Sequence, residues 1–226
     1  LKKDSQYKDD KLLNIFCYLI VPVVLSFPIT YFLDWWYFKN QKSFFMSSNT
    51  LLFLHSEITK WIILYSPFLI MFLIVIGLRN SSSIRIIKIR ALLLIPVIIS
   101  AVSIFILIYE FFEYTDINQD GIRIRNGIFS TNKNYQWNDI DNVQVSYKRG
   151  YRNKIDPIYD IHLKDGTVLN TCDAEDFYSN IITLDNFIKD NKIKIIRSKI
   201  QPNDYNDLRN SFSEDRLEVV LEILNG

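Results

Sequence analysis

The chain has 226 residues, 26 Lys and Arg against 25 Asp and Glu, a net charge of +1, 49% apolar residues, two cysteines and two histidines. Near-neutral charge lacks the concentrated basic footprint of a nucleic-acid-binding protein, so no nucleic acid is expected as a partner. Cys17 and Cys172 are too isolated for a disulfide framework or a CxxC metal site, and His55 and His162 cannot build a multi-histidine centre, so no metal or cofactor is expected. The neutrality is a sum of opposites: residues 1–112 carry 11 basic and 6 acidic side chains, residues 113–226 carry 15 and 19.

Three charge-free runs dominate the first half: Leu12 to Leu33, Trp61 to Leu78 and Ala91 to Tyr109. A bilayer core takes about 17–25 apolar residues per helix, so the runs predict three transmembrane helices over about 12–35, 61–78 and 91–112. The first run exceeds the h-region of a signal peptide and ends in Leu33-Asp34-Trp35-Trp36, not in a small-residue cleavage site, so it is expected to stay in the membrane. Pro22, Pro28, Pro67 and Pro96 fall inside these runs. The runs contain no Asp, Glu, Lys, Arg or His, which disfavours a pore or pump.

Lys2, Lys3, Lys8 and Lys11 precede the first run, and Arg79, Arg85, Lys88 and Arg90 follow the second. Lys39, Lys42, Lys60, Arg123 and Arg125 fall on the opposite side, so positive-inside counting predicts a multi-pass cell-membrane protein with a cytoplasmic N-terminus and an extracytoplasmic C-terminal domain. The connection from Asp34 to Lys60 holds two short apolar groups, Ser43-Phe44-Phe45-Met46 and Leu51-Leu52-Phe53-Leu54. They are too short to span and predict a segment lying in the membrane interface.

After Tyr114 the pattern changes to alternation. Ile122 and Ile124, then Val143, Val145 and Tyr147, then Tyr159, Ile161 and Leu163 alternate with polar residues, marking half-buried antiparallel strands. Asn118-Gln119-Asp120-Gly121, Asn126-Gly127 and Lys164-Asp165-Gly166 supply turns. A helix capped by Asp173 is expected to bury Tyr178, Ile181, Ile182, Asp185 and Ile188, followed by a strand over 192–196. Ser211-Phe212-Ser213-Glu214 reads as a capping box for a last helix bearing Leu217, Val220, Leu221 and Leu224.

The run Asp120-Gly121-Ile122-Arg123-Ile124-Arg125-Asn126-Gly127-Ile128-Phe129, then Tyr135-Gln136-Trp137-Asn138-Asp139-Ile140 and Val143-Gln144-Val145, resembles bacterial pleckstrin-homology-like domains carried by small membrane proteins. The resemblance covers about residues 113–200. It implies a small antiparallel β-barrel or sandwich with C-terminal helices, of seven strands and one capping helix, although only five or six strands are legible. The expected class is therefore a three-helix membrane region (1–112), an α+β PH-like domain (113–200) and a helical extension (201–226). Gly121, Gly166, Trp137 and Ile140 are the expected structural positions, with Trp137 and Tyr135 filling the core.

Lys148, Arg149, Arg152 and Lys154 form the densest basic cluster, in a loop between two strands. They are the candidate contacts for an anionic ligand, extended by Arg123 and Arg125. Asp116-Ile117-Asn118-Gln119-Asp120-Gly121 opens like a calcium loop but has Gly127 where the bidentate Glu belongs, and is expected to be a hairpin turn. Asp160, His162 and Lys164 share one strand face without a nucleophile, and Cys172 stands at a strand-to-helix junction. The sequence thus predicts a non-enzymatic membrane protein whose domain binds a protein, lipid headgroup or envelope polymer beside the lipid bilayer. The resemblance adds a role in envelope protection. Two alternatives remain: a subunit of a larger membrane complex, and a membrane enzyme using Asp139, Asp141, His162 or Cys172.

Overall fold

A computed structural model describes residues 16–79 and 86–226. Residues 12–15 of the first predicted span and the basic residues Lys2, Lys3, Lys8, Lys11 and Arg85 lie outside the described residues. The described residues form two compact units: 16–43 with 56–79 and 86–112, and 44–55 with 113–226.

The first unit is helical. A π-turn, Phe16–Ile20, leads into α1 (Val21–Phe45), followed by α2 (Glu57–Arg79) and α3 (Ile86–Glu110). Pro28, Pro67 and Pro96 lie inside the three helices. A helix leaves its last four carbonyls without intrahelical partners, and α1 supplies some for α3. Tyr37 Oη donates to the Leu107 carbonyl (2.9 Å), and Gln41 Nε2, one turn on, donates to that of Phe111 (2.9 Å). Tyr37 and Gln41 are both buried.

Among the described residues one stretch, Glu57–Gly77, is long and apolar enough to cross a membrane, where the sequence predicted three. Prolines, Ser26, Thr30 and the Asp34-Trp35-Trp36-Tyr37 group dilute α1, and α3 contributes the shorter apolar stretch Leu94–Glu110.

The second unit is α+β and holds two four-stranded sheets. The first runs β1 (Thr50–His55), β2 (Tyr114–Asn118), β3 (Gly121–Arg125), β4 (Lys133–Tyr135), all neighbours antiparallel. The second is formed by β5 (Ile140–Arg149), β6 (Ile155–Leu163), β7 (Val168–Asn170) and β8 (Ile195–Arg197) in the order β7-β6-β5-β8, with β8 parallel to β5. Between β7 and β8 lies α4 (Phe177–Asp190); α5 (Tyr205–Ser211) and α6 (Glu214–Asn225) complete the unit. One core joins Leu52, Ile117 and Ile122 to Val143, Tyr159 and Ile161, with Phe177, Ile181 and Ile188 of α4 and Val220 and Leu224 of α6.

β1 corrects the sequence reading. Leu51-Leu52-Phe53-Leu54 is not an interfacial segment but an edge strand, with Phe53 opposite Asp116 and Leu54 opposite Thr115. Leu52 and Phe53 are each 1% exposed. Asp116, wholly buried, ties the neighbouring segment down by accepting from Ser47 Oγ (3.0 Å), Thr50 Oγ1 (2.6 Å) and Asn118 Nδ2 (3.0 Å). Residues 201–226 pack into this unit's core.

Two local expectations shift and a third, the 116–121 hairpin turn, holds. α4 starts at Phe177, beyond the expected cap Asp173. The predicted capping box does not form: Ser211 ends α5 and its Oγ accepts the Ile155 N–H (2.8 Å), while Ser213 occupies the N-cap of α6. The 116–121 segment is a β2–β3 hairpin whose Asn118 Oδ1 accepts the Asp120 and Gly121 N–H groups.

Candidate functional site

The predicted basic cluster occupies the tip of the β5–β6 hairpin. Arg149 is already matched, donating to Asp204 (2.5 Å) and Asp207 (2.9 Å), and Lys154 lies 3.7 Å from Asp156. Arg152 holds a left-handed backbone, φ 56°, and rests its guanidinium over the Tyr151 ring at 5.1 Å. Lys148 is exposed on β5. Arg123 and Arg125 belong to β3 in the other sheet, where Arg125 Nη2 donates to the Ile128 carbonyl (3.2 Å). The six predicted anion contacts therefore divide between two sheets; Lys154 is matched by its near neighbour Asp156, and Arg149 by two carboxylates that sequence spacing could not associate with it.

The structural positions resolve more sharply. Ile140 is buried in the core. Trp137 is half-buried at its rim instead of filling it: its ring packs on Phe187 at 4.9 Å and its Nε1 donates to the Gln119 carbonyl. Tyr135, also at the rim, donates to Asp165 (2.7 Å). Gly121 has φ 151°, and a Cβ there would sit 2.2 Å from the Tyr135 carbonyl oxygen; Gly166 has φ 89° with open space around it.

Of the residues of the alternative enzyme reading, Asp139 and Asp141 serve other contacts. Asp139 accepts the Gln136 N–H, and Asp141 accepts from Asn142 Nδ2. Burial pushes the Cys172 thiol up to about 12, away from a reactive thiolate. His162 pairs with Val168 and Asp160 with Asn170. Continuing that register puts Cys172 level with Ile158, four residues along β6 from His162. At about 3.3 Å per residue that is roughly 13 Å, beyond hydrogen-bond reach. Among the described residues no group of three His, Cys, Asp or Glu side chains is placed to hold a metal ion.

What the sequence missed is a surface. α4 and α6 pack in the core with the inward residues Val143, Val145, Tyr159 and Ile161, while β5, β6 and β7 turn Asn142, Gln144, Ile158, Asp160, His162 and Val168 the other way. On that outer face Asn142 Oδ1, Asp160 Oδ1 and His162 Nε2 are shielded from solvent without a hydrogen-bond partner. Asn142 is directly opposite His162, and Asp160 lies two residues along the same strand. Burial raises the Asp160 carboxyl above the usual range, offset by His162 and Lys148. Unpaired shielded polar atoms are costly in a folded protein, and a ligand bringing donors would satisfy the Asn142 and Asp160 oxygens. The sequence signal was the alternation of Asp160 and His162; the missing part was Asn142 across the strand pair.

No family model, curated protein or solved structure matches the chain.

Proposed function

We propose that the chain is a non-enzymatic, multi-pass membrane protein whose α+β domain is a PH-like module that binds a protein or envelope polymer through the outer face of β5, β6 and β7. The observation that carries the membrane part is the position of the helices in the chain. β1 and β2 are hydrogen-bonded neighbours, yet all of α2 and α3 intervenes between them. If α2 crosses a bilayer, the chain must cross back before β2 can pair, and α3 is the element available. Its exterior fits: Val97, Ile98 and Phe105 are each at least 60% exposed, as are Phe27 and Tyr31 on α1. A helix apolar on its outer faces is at home in lipid.

The same topology puts residues 44–55 and the C-terminal domain on one side of the membrane, and the N-terminus and the α2–α3 connection on the other. The charge count favours the domain outside the cytoplasm. Seven antiparallel strands, β1 to β7, followed by α4 equal the number implied by the PH-like resemblance. One of the seven, β1, comes from the inter-helix connection, and β8 follows α4.

The topology is tested with Cys17 and Cys172 replaced by Ser, Gly150→Cys introduced, and a membrane-impermeant thiol reagent applied to intact cells. Labelling supports the proposed orientation; protection until lysis reverses it. The binding surface is tested by crosslinking from Gln144 and Asn170 positions in cells. Loss of every crosslinked product on His162→Ala with Asp160→Ala supports this face, and unchanged products remove it.

A further inference from the structure

The β3–β4 loop invests local structure in holding an aromatic ring outward. Gly127 takes φ 83°, the Asn126 N–H donates to Ser130 Oγ (2.9 Å), and that hydroxyl donates back to the Gly127 carbonyl (3.0 Å). Arg125 Nη2 braces the turn at the Ile128 carbonyl. The product is Phe129 with 86% of its surface exposed. A braced turn that displays a phenylalanine forgoes the free energy of burying it. Residues 126–133 include no Asp or Glu, and Arg125 and Lys133 flank the turn.

Strand register fixes where this loop projects. Arg125 pairs with Tyr114, and Tyr114 with His55. His55 is the last residue of the domain before the chain departs for α2, and Tyr114 is the second after it returns from α3. Phe45, where α1 ends, stacks on Tyr114 at 4.6 Å. All three passages between the domain and the helices therefore use the end of the first sheet from which residues 126–132 project. Tyr151, 82% exposed, is at the β5–β6 tip, in the second sheet.

We infer that the β3–β4 loop is a bilayer anchor: Phe129 enters the interfacial layer and Lys133 meets lipid phosphates. An exposed aromatic ring beside an exposed lysine suits that layer, where apolar and charged surroundings meet within a few ångströms. The inference rests on the membrane topology proposed above. The anchor would fix the tilt of the domain, leaving the outer face of the second sheet to its ligand.

The test uses the full chain with Cys17→Ser and Cys172→Ser, reconstituted into vesicles of phosphatidylcholine and phosphatidylglycerol. Single cysteines at Thr131, Tyr151 and Val97 carry an environment-sensitive fluorophore, with and without lipid bearing a shallow nitroxide quencher. The inference expects a blue-shifted, quenched probe at 131 with Phe129 intact, loss of both effects in Phe129→Ala, and an aqueous probe at 151. A probe at 131 as aqueous as that at 151, with the probe at 97 shielded from water, overturns the anchor and leaves the topology standing. A probe at 97 that is itself aqueous overturns the topology and the anchor with it.

Discussion

Replacing Asp185 by Ala tests the account of the domain core most severely. Asp185 lies on the buried face of α4, its side chain 4% exposed, and accepts two bonds of 2.8 Å from Arg197 Nη2. Tyr159 Oη donates to it at 3.0 Å and Lys189 Nζ approaches to 3.1 Å. Arg197, 15% exposed, also donates through Nη1 to the Ile223 carbonyl in the last turn of α6. Removing the carboxylate thus strands a shielded guanidinium and a buried phenol together. Breaking one side of a buried ion pair costs about 3–5 kcal/mol, a large part of the ~5–15 kcal/mol that holds a domain folded. At about 2–4 °C per kcal/mol for a chain of this size, the midpoint should fall by roughly 6–20 °C.

The assay is thermal unfolding of the detergent-solubilised chain carrying Cys17→Ser, read by a thiol-reactive dye. Cys172 reports because burial keeps its thiol protonated in the folded domain. Arg197→Met should cost less, since Asp185 keeps Lys189 and Tyr159 as partners. The triple variant Asp185→Leu, Arg197→Met, Tyr159→Phe, which removes the whole polar knot, should recover most of the loss. A single Asp185→Ala costing under about 1 kcal/mol, or a triple variant no better than the single one, would refute the reasoning.

Gly121→Ala should destabilise by about 2–4 kcal/mol, because the new methyl meets the Tyr135 backbone and φ leaves no escape, while Gly166→Ala, with open space, should cost about 1 kcal/mol; the same dye assay ranks them. Burial, followed by the Asp185 charge, raises the Tyr159 phenol well above its ordinary 10.0. A raised folded value means that stability is intact below the unfolded pKa of about 10 and declines as pH rises past it; Tyr159→Phe should flatten that decline in the midpoint between pH 9 and 11, about 10 being the turning point. A Leu54→Cys, Thr115→Cys pair in the cysteine-free chain should oxidise to a disulfide, because register neighbours in an antiparallel pair stand about 4.5–5.5 Å apart at Cα. Failure to crosslink under mild oxidant, read on non-reducing gels, would remove β1 from the sheet.

The elements the sequence announced are those with one face in the core. Ile122 and Ile124, Val143 and Val145, and Tyr159, Ile161 and Leu163 alternate because their neighbours point outward, and they form β3, β5 and β6. β1 does not alternate: Leu51, Leu52 and Phe53 are all buried, so the run carries no period-two signal and resembles a fragment of a hydrophobic helix. Its partner β2 stands beyond two long helices, a separation no local pattern encodes. The basic hairpin misled for a related reason. Lys148 to Lys154 read as an uncompensated cluster because Asp204 and Asp207 are more than fifty positions away in sequence. The outer face of β5, β6 and β7 was half legible, since Asp160 and His162 alternate with apolar neighbours, but Asn142 joins them only through strand pairing.

The interruption of the first sheet by α2 and α3 has a consequence for biosynthesis. β1 leaves the ribosome before either helix, and β2 only after both, so the apolar residues of β1 must remain unpaired while the intervening helices are made. In the proposed topology those helices must also be threaded out and back before the two strands can meet. The seam between Leu54 and Thr115 then closes only after both helices are made, and only on chains whose helical hairpin has the right number of crossings. A chain with a missed crossing would hold its two strands on opposite sides of the bilayer, presenting an open sheet edge to any protease that patrols unfinished proteins.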